Sequence, residues 1–147
     1  MKVPSIVISG IPAGYHRHPN GGGVVADTAT VADTAYIGPD AMVRGSAKVT
    51  DHAWVSGSAW VSGSAVVRDD AVVSGSAWVS EHAVVRDDAV VREHGWVSGY
   101  AWVSGSAVVS DHALVCDHAV VRDHAMVRGS VLVCDHAVVS GSDEVTE

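Results

Sequence analysis

The tripeptide Cys-Asp-His occurs twice in this sequence, with starts 18 residues apart, and it is the part of the chain best suited to chemistry. Thiolates and imidazoles are common ligands of zinc, so Cys116, His118, Cys134 and His136 are candidate metal ligands. The two cysteines could instead form a disulfide or remain free thiols. Because no secretion signal is recognisable, free thiols in a reducing compartment such as the cytoplasm are favoured, with the disulfide and the zinc site as alternatives.

Acidic pairs form a second candidate site. The tripeptide Arg-Asp-Asp occurs at residues 68–70 and again at residues 86–88. Pairs of carboxylates could bind a hard cation such as Ca²⁺. The arginine beside each pair favours a simpler interpretation, in which the charges neutralise one another at the surface.

A six-residue repeat predicts the strands and corners on which these candidate residues lie. An aliphatic residue stands at every sixth position from Val25 to Val145, and a small residue, usually alanine, follows four places later. The small residue is replaced only at Gly95, Val131 and Asp143. Alternation of inward alanine and valine with outward residues is typical of a short strand. The Gly-Ser, Asp-Asp and Asp-His pairs between strands are residues that tolerate tight, left-handed turns.

One strand and one corner every six residues predict an all-β solenoid, with three repeats closing a triangular coil of 18 residues. The segments VSGSAW, VSGSAV and VRDDAV carry a resemblance to the hexapeptide-repeat left-handed parallel β-helix superfamily, which contains acyltransferases and γ-class carbonic anhydrases. The chain is also similar to low-complexity A-x-V-x-G-N repeat proteins of bacteria and phages. The resemblance implies a left-handed β-helix of about 6–7 coils over residues 24–147. The chain departs from the family pattern in one respect: the family often has glycine directly after the aliphatic residue, whereas this chain has Ser, Arg or Cys there.

Residues 1–23 lie outside the repeat. Residues 2–9 are predicted to form a strand, and the Gly- and Pro-rich residues 10–23 a turn or linker. Since the terminal repeat of a solenoid needs covering, this region is predicted to be an N-terminal cap.

Residues 18 apart should stack about 4.8 Å from one another along the solenoid. This register would stack His94 on His112, and would place Cys116 beside Cys134, so that a disulfide between them would form within one chain. Cysteine would point from a flat strand and histidine from a corner, so the four candidate ligands diverge. Three histidines do not converge within one chain, so a carbonic-anhydrase-type site would need a second subunit.

One predicted face carries an uncharged row of large side chains, and we expect it to be an oligomer interface. The row consists of Trp60, Trp78, Trp96, Leu114 and Leu132. Depletion of charge together with enrichment of aromatic residues marks the centre of protein interfaces. Trimers, common in the superfamily, or a filament-like assembly would bury this face.

These patterns predict a non-catalytic structural or assembly protein whose partner is itself. The alternative is an enzyme of the γ-carbonic anhydrase or hexapeptide acyltransferase type with an intersubunit site. No cofactor is expected, apart from zinc as an alternative at the cysteines. A net charge of −8 argues against nucleic acid and anionic membranes as partners, and there is no apolar run of the length that spans a membrane.

Overall fold

The computed structural model describes residue 11 and residues 13–146, and within these residues every regular element is a β-strand. The strands form three sheets that wind around one core. The first, here called the tryptophan sheet, contains β1 (Tyr15–Arg17), β2 (Val24–Ala26), β5 (Met42–Val43), β8 (Trp60–Val61), β11 (Trp78–Val79), β14 (Trp96–Val97), β17 (Leu114–Val115) and β20 (Leu132–Val133). The second sheet contains β3 (Thr30–Val31), β6 (Lys48–Val49), β9 (Val66–Val67), β12 (Val84–Val85), β15 (Trp102–Val103), β18 (Val120–Val121) and β21 (Val138–Val139). The third sheet contains β4 (Tyr36–Ile37), β7 (Trp54–Val55), β10 (Val72–Val73), β13 (Val90–Val91), β16 (Val108–Val109), β19 (Met126–Val127) and β22 (Glu144–Val145).

The register confirms the 18-residue coil. From β2 onward each strand pairs in parallel with the strand 18 residues further along, so that Trp78 lies beside Trp60 on one side and Trp96 on the other. From β2 onward, successive strands along the chain belong to different sheets, which gives a triangular parallel β-solenoid of about seven turns.

The core consists of the alanines and valines that the repeat predicts. Every aliphatic repeat position from Ile37 to Val127 is completely buried, and the alanines that precede these positions are buried as well. Small side chains fit because three closely spaced walls leave little volume between them, and a well-packed interior accepts extra methylene groups only at a cost. At the three repeat positions where another residue replaces alanine, Gly95 is buried, Val131 is half-buried and Asp143 is exposed.

The corners adopt the left-handed backbone that the turn residues predict. After β6, the residue two places beyond each buried aliphatic residue is glycine, aspartate or glutamate. Where it is aspartate or glutamate, this residue takes a positive φ. The acidic residues in this conformation are Asp51, Asp69, Glu81, Asp87, Glu93, Asp111, Asp117, Asp123 and Asp135. Aspartate tolerates this region better than most residues because its short side chain bonds to nearby backbone.

The N-terminal region contains a strand that the sequence did not predict. Tyr15–Arg17 forms β1 and pairs antiparallel with β2, where a turn or linker was expected. A three-residue strand is too short to show a recognisable alternation, and its partner β2 provides the pairing. His18, which follows it, is buried, and its Nε2 lies 2.9 Å from the carbonyl oxygen of Ala35. The strand predicted at residues 2–9 lies outside the described residues.

The described part of the chain has no helix with the length and apolar character needed to cross a membrane.

Candidate interaction face and disulfide

The predicted interface residues form one continuous row on the outer side of the tryptophan sheet. Trp60 and Trp78 stack with ring centroids 5.1 Å apart and planes inclined by 2°. Trp96 lies 5.0 Å from Trp78 but is turned to an edge-on arrangement at 69°. Leu114 pairs with Trp96, and Leu132 with Leu114, so the row continues without a gap.

This row is accessible to solvent. Trp78 is 39% exposed, Trp96 42% and Leu132 63%, while Trp60 and Leu114 are half-buried. The guanidinium of Arg44 lies 5.0 Å above the Trp60 ring, at the end of the row. A contiguous exposed apolar strip of this kind typically belongs to an interaction site.

The tryptophans of the other two sheets, Trp102 and Trp54, each make one aromatic or cation–π contact and do not form a row. Trp102 lies beneath the guanidinium of Arg86, 5.1 Å from its ring centroid. Trp54 stacks on Tyr36 with centroids 4.1 Å apart. These are isolated pairs, and arginines share their faces, so within residues 13–146 neither of these two faces is free of charge in the way that the row from Trp60 to Leu132 is.

The two cysteines lie on this same sheet and form a disulfide. Cys116 and Cys134 are joined within one chain, with Cα atoms 4.6 Å apart. The expectation of free thiols, which rested on the absence of a recognisable secretion signal, is therefore wrong, and the alternative that the predicted register allowed, a disulfide within one chain, is present. The cysteines continue a column that holds serine in earlier coils, at positions 62, 80 and 98.

The histidines at the corners form parallel stacks, as the register predicts. His94 lies on His112 with centroids 4.7 Å apart, and His118 on His136 with centroids 5.1 Å apart. Sequence reasoning missed that Tyr100 joins His82 to His118, which produces a four-ring ladder along one corner. The 18-residue spacing of these four residues was the available signal. Parallel rings leave the predicted zinc ligands His118 and His136 side by side and not directed at a common point with the cysteines.

The corner aspartates have a structural role that was not predicted. The Oδ2 of Asp69 accepts a hydrogen bond from the backbone N–H of Asp87 one coil away, and the Oδ2 of Asp87 accepts one from Gly105. The same bond recurs from Asp51, Asp111, Asp117 and Asp123. These carboxylates therefore tie successive coils together by giving a partner to a corner N–H.

The predicted neutralisation of the Arg-Asp-Asp pairs holds in one case and fails in the other. The Nε of Arg68 lies 4.0 Å from the Oδ2 of Asp69, at the limit of an ion pair. Arg86 is directed at Trp102, since the ring one coil away offers its face to the guanidinium.

Comparison with protein-family models, with curated proteins and with solved structures finds no match to this chain. The strands and their register establish the parallel β-solenoid, and the surfaces of its sheets and corners are the observations that bear on function.

One corner carboxylate has a shifted acidity. The backbone N–H of Gly129 donates to the Oδ2 of Asp111 at 3.0 Å, and this bond lowers the pKa of Asp111 from its ordinary value of 3.8. A side-chain hydrogen bond with Glu93 and the charges of Arg128 and Arg92 lower the pKa further, against a partial loss of solvation. The ionised carboxylate is thus the form that the folded solenoid prefers.

We expect Asp111 to contribute to loss of stability in acid. Because its folded pKa is depressed, its contribution is present above pH 3.8 and is lost as the pH falls through the folded pKa. Urea unfolding measured between about pH 5 and pH 2 should therefore show a shallower decline for Asp111→Asn than for the native chain. Asp88→Asn removes the same charge from an exposed corner and is the control. Equal slopes for the two variants would contradict the assignment.

Proposed function

We propose that this protein is a non-catalytic structural protein, a rigid β-solenoid that assembles with copies of itself through the tryptophan sheet. The observation that carries the proposal is the exposed, uncharged and uninterrupted row from Trp60 to Leu132. Burial of apolar surface is the main driving force of most protein association, and aromatic anchors dominate the energy of interfaces.

The size of the face is compatible with a specific interface. The uncharged row from β8 to β20 is about 19 Å high, and with β2 and β5, where Arg44 lies at the rim, the outer side of the sheet is about 29 Å high and about 20 Å wide. Two copies packed through this side would bury roughly 1,200 Å², near the lower end of the range for stable protein pairs. The strands of this sheet from β5 to β20 have the same length and register, which favours close contact along the row.

The partner that best fits this face is a second copy of the chain. A net charge of −8 opposes contact with nucleic acid and with anionic membranes, and the uncharged row is the part of the surface where copies can approach without repulsion. A trimer or a filament-like assembly would both use it. Membership of the hexapeptide-repeat superfamily, with its left-handed winding, belongs to the same proposal and is supported by the six-residue repeat and the triangular coil.

The alternative, an enzyme of the γ-carbonic anhydrase or hexapeptide acyltransferase type, has less support. Such an anhydrase needs three imidazoles directed at one ion, whereas His94 and His112 stack face to face at 3°. A site shared between subunits would have to be assembled from corners of different chains.

The oligomeric state of the purified chain tests the proposal. Static light scattering at tens of micromolar, in moderate salt, should report a discrete oligomer or a growing assembly. A monodisperse monomer over this concentration range would rule the proposal out. The measured mass would also separate a closed trimer from an open filament.

A further inference from the structure

The disulfide lies in a cluster that contains a third potential metal ligand. The Sγ atoms of Cys116 and Cys134 and a carboxylate oxygen of Asp117 all lie within 4.8 Å of one another. The Sγ of Cys116 is 3.9 Å from the Oδ2 of Asp117. Both cysteines are half-buried and Asp117 is exposed, so the cluster is open to solvent on one side.

We propose that the reduced form of this protein binds one soft divalent cation of the zinc type through Cys116, Cys134 and Asp117, and that formation of the disulfide releases it. This site differs from the Cys₂His₂ set considered from the sequence, because the corner histidines take no part. The cysteines lie on the tryptophan sheet, but metal binding and self-association are measured separately, so failure of one does not decide the other.

The geometry fits a tetrahedral site with an open position. Zinc–sulfur bonds of about 2.3 Å require sulfur atoms roughly 3.8 Å apart, and sulfur and oxygen ligands at a similar separation. The Cα atoms, 4.6 Å apart, are held by strand pairing in which the N–H of Cys116 donates to the carbonyl oxygen of Val133 at 2.9 Å. Rotation of the two reduced side chains therefore suffices to separate the sulfurs while the backbone stays in place. The fourth position faces solvent and would be taken by water.

A hydrogen bond already orients the carboxylate. The backbone N–H of Asp135 donates to the Oδ2 of Asp117 at 3.2 Å, one coil away. Partners of this kind hold metal ligands in position and strengthen binding. The Oδ2 that accepts this bond is also the Asp117 oxygen that lies 3.9 Å from the Sγ of Cys116, and its second lone pair remains for the ion.

The exchange balances in electrons, protons and charge. A small dithiol reductant transfers two electrons and two protons to the disulfide, which gives two thiols while the reductant becomes its own disulfide. Binding of the divalent cation then displaces the two thiol protons. In the reverse step a small disulfide is the oxidant: it takes two electrons from the two thiolates, is reduced with two protons to its dithiol, and the cation is released. Two thiolates, one carboxylate and one divalent cation carry a net charge of −1, the same as the disulfide with ionised Asp117. Loading therefore leaves the net charge of the site unchanged.

The test is a titration with Cd²⁺, whose bonds to thiolate sulfur produce an ultraviolet charge-transfer band. The full chain is reduced with a phosphine, freed of reductant without oxygen, and titrated. We expect the band to saturate at one Cd²⁺ per chain, with release of about two protons per ion near neutral pH. The oxidised chain, verified by a mass two hydrogens lower than that of the reduced chain, should show no band. A reduced chain without a stoichiometric band would overturn the proposal.

Matched variants identify the ligands. Cys134→Ser places the residue found at positions 62, 80 and 98 of the same column, so the coil accepts it, and we expect this variant to lose the stoichiometric band. Asp117→Asn, which tolerates the same backbone conformation, should weaken Cd²⁺ binding by about tenfold or more. His118→Ser copies the corner at Ser64 and should bind as the native chain does. Unchanged binding in Cys134→Ser or Asp117→Asn, or lost binding in His118→Ser, would contradict the ligand set. Circular dichroism of each variant confirms that it is folded.

Discussion

Replacing Val85 with aspartate is expected to abolish folding of the central coils. Val85 is completely buried on β12, with the buried valines of β9 and β15 on either side of it. An ionised carboxylate at this position would have no partner, and burial of such a charge costs several kcal/mol even after relaxation. A single domain is stable by only about 5–15 kcal/mol. Because each coil of a solenoid contacts only its neighbours, a break in the middle disconnects the two halves.

Two further variants show how the loss of stability depends on burial and on charge. Val84→Asp changes the neighbouring outward position, which is half-buried, and should alter the free energy of unfolding by less than about 1 kcal/mol. Val85→Ala removes two methyl groups and leaves a small cavity, so a loss of about 2–3 kcal/mol is expected. Urea denaturation followed by circular dichroism measures all three. Similar losses for Val84→Asp and Val85→Asp would mean that the valines do not alternate between core and surface as described.

Trp78→Lys is expected to dissociate the assembly that we propose. Trp78 is the centre of the tryptophan row, in contact with Trp60 and Trp96. A lysine there places a charge in the middle of an apolar contact and removes the aromatic anchor. Truncation of a central anchor costs about 2 kcal/mol or more, which raises the dissociation constant by at least about thirtyfold. Sedimentation velocity over a concentration series would measure the shift toward monomer.

Trp102→Lys is the control for this experiment. It makes the same change on the second sheet, where Lys48 already occupies an equivalent outward strand position. We expect Trp102→Lys to assemble like the native chain, and to lose about 1 kcal/mol of unfolding free energy because its contact with Arg86 is removed. Equal dissociation by the two variants would show that net charge, and not the tryptophan sheet, governs assembly.

The sequence alone determined the architecture because two periodic patterns, one of two residues and one of six, both specify it. The alternation of inward and outward residues specifies each strand, and the six-residue interval specifies where each corner falls. From these two periods follow the three sheets, the pairing of Trp60 with Trp78 and the buried positions from Ile37 to Val127. The uncharged row was readable for the same reason, since residues 18 apart must be neighbours.

Only the tertiary structure decided the chemistry of side chains that meet between coils. The 18-residue spacing already predicted that Cys116 and Cys134 lie side by side, but only the structure decided that they are joined as a disulfide, with Cα atoms 4.6 Å apart. The guanidinium of Arg86 lies over the Trp102 ring, a contact that depends on the rotamers available between two strands. The corner aspartates accept hydrogen bonds from the next coil because a left-handed corner presents its N–H to them. β1 exists because β2 offers an edge with which it can pair.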